Sequence, residues 1–175
     1  MKSVAENGAI VKVALFAAFA DIPYPGDGNI VVDQSVFDPE CTEIVNAFTG
    51  MKWQDVSVKM VLQFKEALPL FTPAAFSFYL PAYMVACVEA YYDVDVALDS
   101  VLFNLTPPVS RSGWQWDFFQ ARVKGFSGPQ VDATRSFLTL MNEYELADWA
   151  SAGKVPPRER IGRAMDFWAQ FPGRA

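Results

Sequence analysis

The sequence predicts a mainly α fold: a single compact multi-helix domain over residues 1–175, with room for one or two short extended segments. Three observations carry this. Apolar residues recur at spacings of three and four, the period of a helix with one buried face. Asp38-Pro39 and Thr72-Pro73 each pair a capping side chain with proline at the first helical position, where no amide hydrogen bond is lost. Ser127 and Gln130 form a capping-box pattern, in which each side chain satisfies the other residue's backbone amide.

Taken in order, a first helix is expected over Val4–Ala20, stopped by the proline- and glycine-rich run from Ile22 to Asn29. Ile30-Val31-Val32 is β-branched and reads as a brief extended piece. The Asp38-Pro39 helix should run to Phe48 and stop at Gly50, and another should span Asp55–Ala67. The Thr72-Pro73 helix contains Pro81, which removes a backbone hydrogen bond and predicts a kink or break near Tyr79-Leu80 before the helix resumes to Tyr91. Val94–Leu105 follows, ended by Thr106-Pro107-Pro108. Residues 106–126 leave helix, strand and aromatic loop open. A long helix then opens at Ser127 and ends at Ser151-Ala152-Gly153, and a last one starts at Pro156-Pro157 and ends before Pro172.

Composition excludes more than it identifies. The chain is 52% hydrophobic, with 15 Phe, 6 Tyr and 5 Trp, so it has the apolar area to offset the entropy of ordering. Its net charge of −6 opposes nucleic-acid binding, which needs cations to displace phosphate counterions. The charge is uneven: residues 1–105 hold 13 acidic and 5 basic side chains, residues 106–175 hold 7 and 9. Histidine is absent, which removes Ser-His-Asp and Cys-His catalysis and the commonest zinc ligand. Cys41 and Cys87 are too few for a four-ligand metal site and read as buried small hydrophobes. No metal and no cofactor is expected.

Val13–Ala20 is apolar and ends in an Ala-x-Ala pattern, as a cleaved leader would. Glu6, Lys12 and the shortness of the run favour an ordinary first helix. No stretch reaches the roughly 20 apolar residues needed to span a bilayer. These features predict a cytoplasmic protein.

Few motifs carry chemistry. Pro25-Gly26-Asp27-Gly28-Asn29 lacks the later ligands of a calcium loop and reads as a turn. Glu89, Asp93, Asp95 and Asp99 crowd carboxylates around an interhelix turn. They form a solvated face, a docking surface for a basic partner, or a metal or acid/base site. Trp114 and Trp116 could cover the core, which is the first reading, or anchor a partner, as tryptophan does at binding hot spots. Arg158, Arg160 and Arg163 make a basic face too small for nucleic acid. Asn104-Leu105-Thr106 matches a glycosylation acceptor, meaningful only in a secreted chain.

The run Ala67-Leu-Pro-Leu-Phe-Thr-Pro-Ala-Ala-Phe-Ser-Phe-Tyr-Leu-Pro-Ala-Tyr-Met84 resembles a bacterial domain family of unknown function. That family carries an LP-x-(L/F)-(S/T)-P-x-A-F-x-(Y/F)-Y-LPAY signature. Pro23-x-Pro25-Gly26-Asp27, Glu40-Cys41-x-Glu43, Trp53 and Phe126-Ser127-x-x-Gln130 fit as well, over roughly residues 13–150. The resemblance implies no activity, and the signature describes a fold requirement as readily as a site. At the level of class, small acidic proteins of this kind are frequent among bacterial immunity proteins. The expected function is therefore noncatalytic protein binding by an immunity-type inhibitor that occludes a toxin or effector. Its partner would present a basic surface to Glu89, Asp93, Asp95 and Asp99, with Trp114 and Trp116 as anchors. A small-molecule-binding or carboxylate-based enzymatic domain, and a subunit of a larger assembly, are the alternatives.

Overall fold

The computed structural model describes residues 4–33, 38–154 and 159–174. Among them are eight α-helices: α1 (Val4–Ala18), α2 (Pro39–Phe48), α3 (Val58–Gln63), α4 (Pro73–Glu89), α5 (Asp95–Leu105), α6 (Trp114–Val123), α7 (Gly128–Ser151) and α8 (Glu159–Gln170). Short 3-10 turns occupy Asp27–Asn29 and Trp53–Asp55. The fold is mainly α, as the apolar spacing predicts. Among the described residues, extended structure is limited to two isolated bridges, Val31 with Phe71 and Ser127 with Arg174.

The local start signals act as the sequence implies. Asp38 accepts from the amides of Glu40 and Cys41. Thr72 accepts from Ala75 and also donates to the carbonyl of Asn29, so one hydroxyl caps α4 and ties it to the first connection. Both halves of the Ser127–Gln130 capping box form. Gly50 and Gly153, at φ +70° and +66°, supply the left-handed residues that end α2 and α7.

Helix α4 is the axis of the molecule, packed against α1, α3, α5, α6 and α7. Every residue from Phe78 to Cys87 is buried. A helix apolar on all faces belongs in the middle of a core. Pro81 does not break it: α4 runs unbroken from Pro73 to Glu89. One missing backbone bond is outweighed where neighbours enclose the helix on all sides.

The aromatic signature forms this interior and its hydrogen bonds. The single proton of the Tyr79 hydroxyl is shared between the carbonyls of Phe48 and Met51, at 2.7 and 3.0 Å, and the Tyr83 hydroxyl donates to that of Phe64 at 2.7 Å. Both rings are fully buried, and burial raises both phenols well above their ordinary pKa near 10. The carbonyls of Pro69 and Phe71 accept from the Arg122 guanidinium at 2.6 and 3.0 Å.

Helix α3 is shorter than the expected Asp55–Ala67 stretch. Residues Trp53–Asp55 turn as a 3-10 segment because buried Trp53 donates its indole N–H to the carbonyl of Phe19; Ser57 then caps α3. The chain leaves the helix at Phe64, inside which Ala67 and Leu68 bury as a turn. The start of the last helix at Pro156-Pro157 lies outside the described residues. Its end is anchored by Arg135, whose guanidinium caps the carbonyls of Trp168, Ala169 and Phe171. The tail then pairs with the start of α7, and a Cβ on Gly173 would collide with the backbone of Gly128.

Candidate interaction surfaces

The acidic residues gather where α4 turns into α5, but not as one equivalent set. Buried Val94 pins the turn, and its amide closes back onto Ala90. Glu89 is exposed and ion-paired with Lys12 of α1. Asp93 and Asp99 are exposed. Asp95 is the first residue of α5, where a negative charge suits the positive end of the helix dipole, but its side chain lies outside the described residues. Val94, which has no polar side-chain atom, occupies the N-cap position of α5.

Sequence reasoning missed the apolar component of this face. Helix α5 buries Ala97, Leu98, Val101, Leu102 and Leu105, in line with Val94 at its N-cap. Val96, Asp99 and Phe103 follow at helical spacing on the exposed side, with Phe103 74% exposed and Tyr92, just before the helix, 76% exposed. Phe103, a large ring left in water one turn from Asp99, distinguishes this face from an ordinary solvated one, whereas the Tyr92 hydroxyl donates to Asp148 of α7. The signal was present: Phe103 is out of phase with the buried set of its own helix.

Residues 106–126, left open by the sequence, contain α6. Gly113, at φ +82°, lets the chain reverse into it. Trp114 is 75% exposed, which overturns the core reading for that residue. Trp116 is half-buried against the core, stacked on Phe119 at 5.9 Å and capped by the Arg111 guanidinium at 4.8 Å. The inner face of α6 holds a cation. Arg122 is 2% exposed, reaches backbone carbonyls and, among the described residues, no carboxylate, and lies under the ring of Phe118 at 3.4 Å. Desolvation lowers its pKa to about 10.

The remaining candidates resolve as structural. Tyr24 bridges Asp27 and the Gly50 amide, so the Pro25–Asn29 loop is a turn tied to the end of α2. Asn104 is buried and donates to Ser100, which removes it as a glycan acceptor. Arg163 donates to the carbonyl of Pro107, while Arg158 and the side chain of Arg160 lie outside the described residues. Cys41 and Cys87 are both buried free thiols. Among the described residues no helix is long and apolar enough to cross a membrane, and no three metal-ligating side chains converge.

Among the described residues two clefts are lined by more than one carboxylate. The smaller, about 190 Å³, has Glu40, Glu43 and Glu66 in its wall. The larger measures about 290 Å³ between α5 and α7, with Glu145, Asp148, Tyr91, Tyr92 and Trp149 in its wall. That is at the lower limit for small-molecule pockets, about 300–1,000 Å³.

The chain belongs to the family of unknown function DUF6714, which it matches over residues 32–170. The match takes in α8 and leaves α1 outside, a range shifted toward the C-terminus from the residues 13–150 that carry the signature resemblance. No curated protein and no solved structure matches the chain.

Proposed function

We propose that this member of DUF6714 is a noncatalytic protein-binding domain, acting in the bacterial cytoplasm as an immunity-type inhibitor that occludes a basic toxin or effector. The observation that carries this reading is the outer face of the α4–α5 corner. Exposed Asp93 and Asp99 lie in the same run of chain as exposed Tyr92, Val96 and Phe103. Carboxylates steer a basic partner into encounter, and desolvated aromatic rings then slow its release. Trp114, exposed on α6, is a further anchor. Glu89 contributes least, because Lys12 already neutralises it.

The test is association with the product of the neighbouring gene, followed by stopped-flow at two salt concentrations. Replacing Asp93, Asp95 and Asp99 together with Asn should slow association, and Phe103→Ala should speed dissociation. Unchanged rates for both variants would remove the corner from the interface.

A second reading, binding of a small molecule with a carboxylate role, has its support in the Glu145–Asp148 cleft. Under that reading Glu145→Gln with Asp148→Asn would abolish protection in cells, while the α5 variants would leave it intact.

A further inference from the structure

We infer that the groove between the 107–111 connection, α6 and α8 receives an extended acidic peptide, with a carboxylate on Arg111 and an apolar side chain on the rings beside it. The groove shares no residue with the α4–α5 corner, and Trp114, the further toxin anchor on α6, is not among the residues that line it.

Its size points to a chain rather than a metabolite. The open volume is about 1360 Å³, above the roughly 300–1,000 Å³ typical of small-molecule sites. Pro107 and Pro108 form one rigid wall, with Trp116 of α6 and Phe167 of α8 among the residues facing it. Proline and aromatic walls lose little conformational entropy when a peptide lies against them.

Its charge points to an acidic occupant. Arg111 has its guanidinium 4.8 Å from the Trp116 ring and 5.2 Å from the Phe167 ring. These contacts order a side chain that otherwise carries much rotamer entropy, while its N–H donors have no protein carboxylate among the described residues. Arg163 also lines the groove and likewise has no ion-pair partner there, its donation going to the Pro107 carbonyl. Asp166 is the opposing charge in the lining. The local balance is positive within a chain of net charge −6, and residues 106–175 carry the excess of basic groups. Two cations are too few for a phosphate backbone, whose binding rests on neutralising several charges at once. They suit one or two carboxylates, which a guanidinium fork can take in bidentate fashion.

The experiment uses the full chain and two blocked, fluorescein-labelled hexapeptides, one alternating glutamate with phenylalanine and the other glutamine with phenylalanine. Anisotropy should show the glutamate peptide binding at least about tenfold more tightly, the loss expected when a charge-assisted hydrogen bond is removed. Arg111→Gln should erase that preference, and Arg111→Lys should restore part of it. In the wild type, the Trp116 indole resonance should shift on titration while those of buried Trp53 and Trp168 stay in place. Equal affinity for the two peptides, or an unmoved Trp116 signal at millimolar peptide, would overturn the inference. So would tighter binding of an oligothymidylate, or self-association lost in Arg111→Gln, which would give the groove to nucleic acid or to a second copy.

Discussion

Two helices of this chain are crowded with aromatic rings: α4 with Phe76, Phe78, Tyr79 and Tyr83, and α6 with Trp114, Trp116, Phe118 and Phe119. On α4 all four rings are buried, and both tyrosine hydroxyls are spent on backbone carbonyls. On α6 only Phe119 is fully inside; Trp114 stands in solvent, and Phe118, 39% exposed, roofs a buried arginine. Aromatic content is therefore no guide to role. What separates the two is where the polar atoms go: inward to tie loops on α4, and on α6 a cation inward with rings outward. The first arrangement is a folding device, and the second leaves rings for a partner.

The largest effect should come from the residue that joins the two helices. Arg122 ties α6 to the carbonyls of the signature turn before α4, and Arg122→Ala would leave those acceptors buried and empty beneath Phe118. The expected loss is about 4 kcal/mol, in the range for breaking a buried polar network. Urea unfolding checks it; a loss below about 1 kcal/mol would mean that α6 is not fastened through this contact.

Alkaline pH should attack α4 in particular. Burial raises the acid pKa values of Cys87, Tyr79 and Tyr83 in the fold. Stability from these groups is therefore complete below their ordinary values, near 9 for the thiol and 10 for the phenols, and declines as pH rises above them. The unfolded chain ionises first, and each group removes about 1.4 kcal/mol per pH unit in that range. Arg122, lowered to about 10, works in the opposite direction above that pH, as one group against three. Melting temperature should therefore be flat to pH 9 and then fall, with Cys87→Ala delaying the onset. A flat profile to pH 11 would show that the α4 side chains are not sealed from water.

Single hydroxyl deletions should be smaller. Tyr79→Phe should cost about 1–2 kcal/mol, since the one proton shared between two carbonyls is lost, and Tyr83→Phe about 1 kcal/mol. Thermal melts of the pair order them; equal, negligible shifts would reduce the signature tyrosines to space-fillers.

What the sequence made legible follows the same divide. The caps at Asp38, Thr72 and Ser127 could be read because a cap is local chemistry, complete within four residues. The length of α3 could not, because the indole of Trp53 bonds a carbonyl 34 residues away and sets the preceding turn. Helix α6 was illegible for a sharper reason. Its apolar period is inverted at two positions, with Phe118 outside and Arg122 inside, so no rule of amphipathic spacing describes it. At the α4–α5 corner the carboxylates could be found as a cluster in the chain. Their inequality could not, since only the fold brings Lys12 to Glu89.

The smallest expected effect on stability belongs to the outer faces, and it is the one that bears on function. Asp93 and Asp99 are exposed, and Phe103 is 74% exposed, so neither charge nor ring contributes much to the fold. Replacing Asp93, Asp95 and Asp99 together with Asn, or Phe103 with Ala, should each change stability by less than about 0.5 kcal/mol. Relief of the repulsion between Asp95 and Asp99, one turn apart, and loss of the Asp95 charge from the positive end of α5 act in opposite directions, which keeps the net change small. Association with a basic partner should respond quite differently. The triple Asn variant should associate more slowly at low salt and approach wild type as salt rises, because a Debye length of about 8 Å at physiological ionic strength already screens most of the steering. Phe103→Ala should leave association unchanged and raise dissociation, since a ring acts only after contact. Glu89→Gln should do little to either rate, with Lys12 holding that charge. A triple variant that melts several degrees lower would mean the acidic face is structural after all, and the contrast between α4 and the outer helices would fail at its functional end.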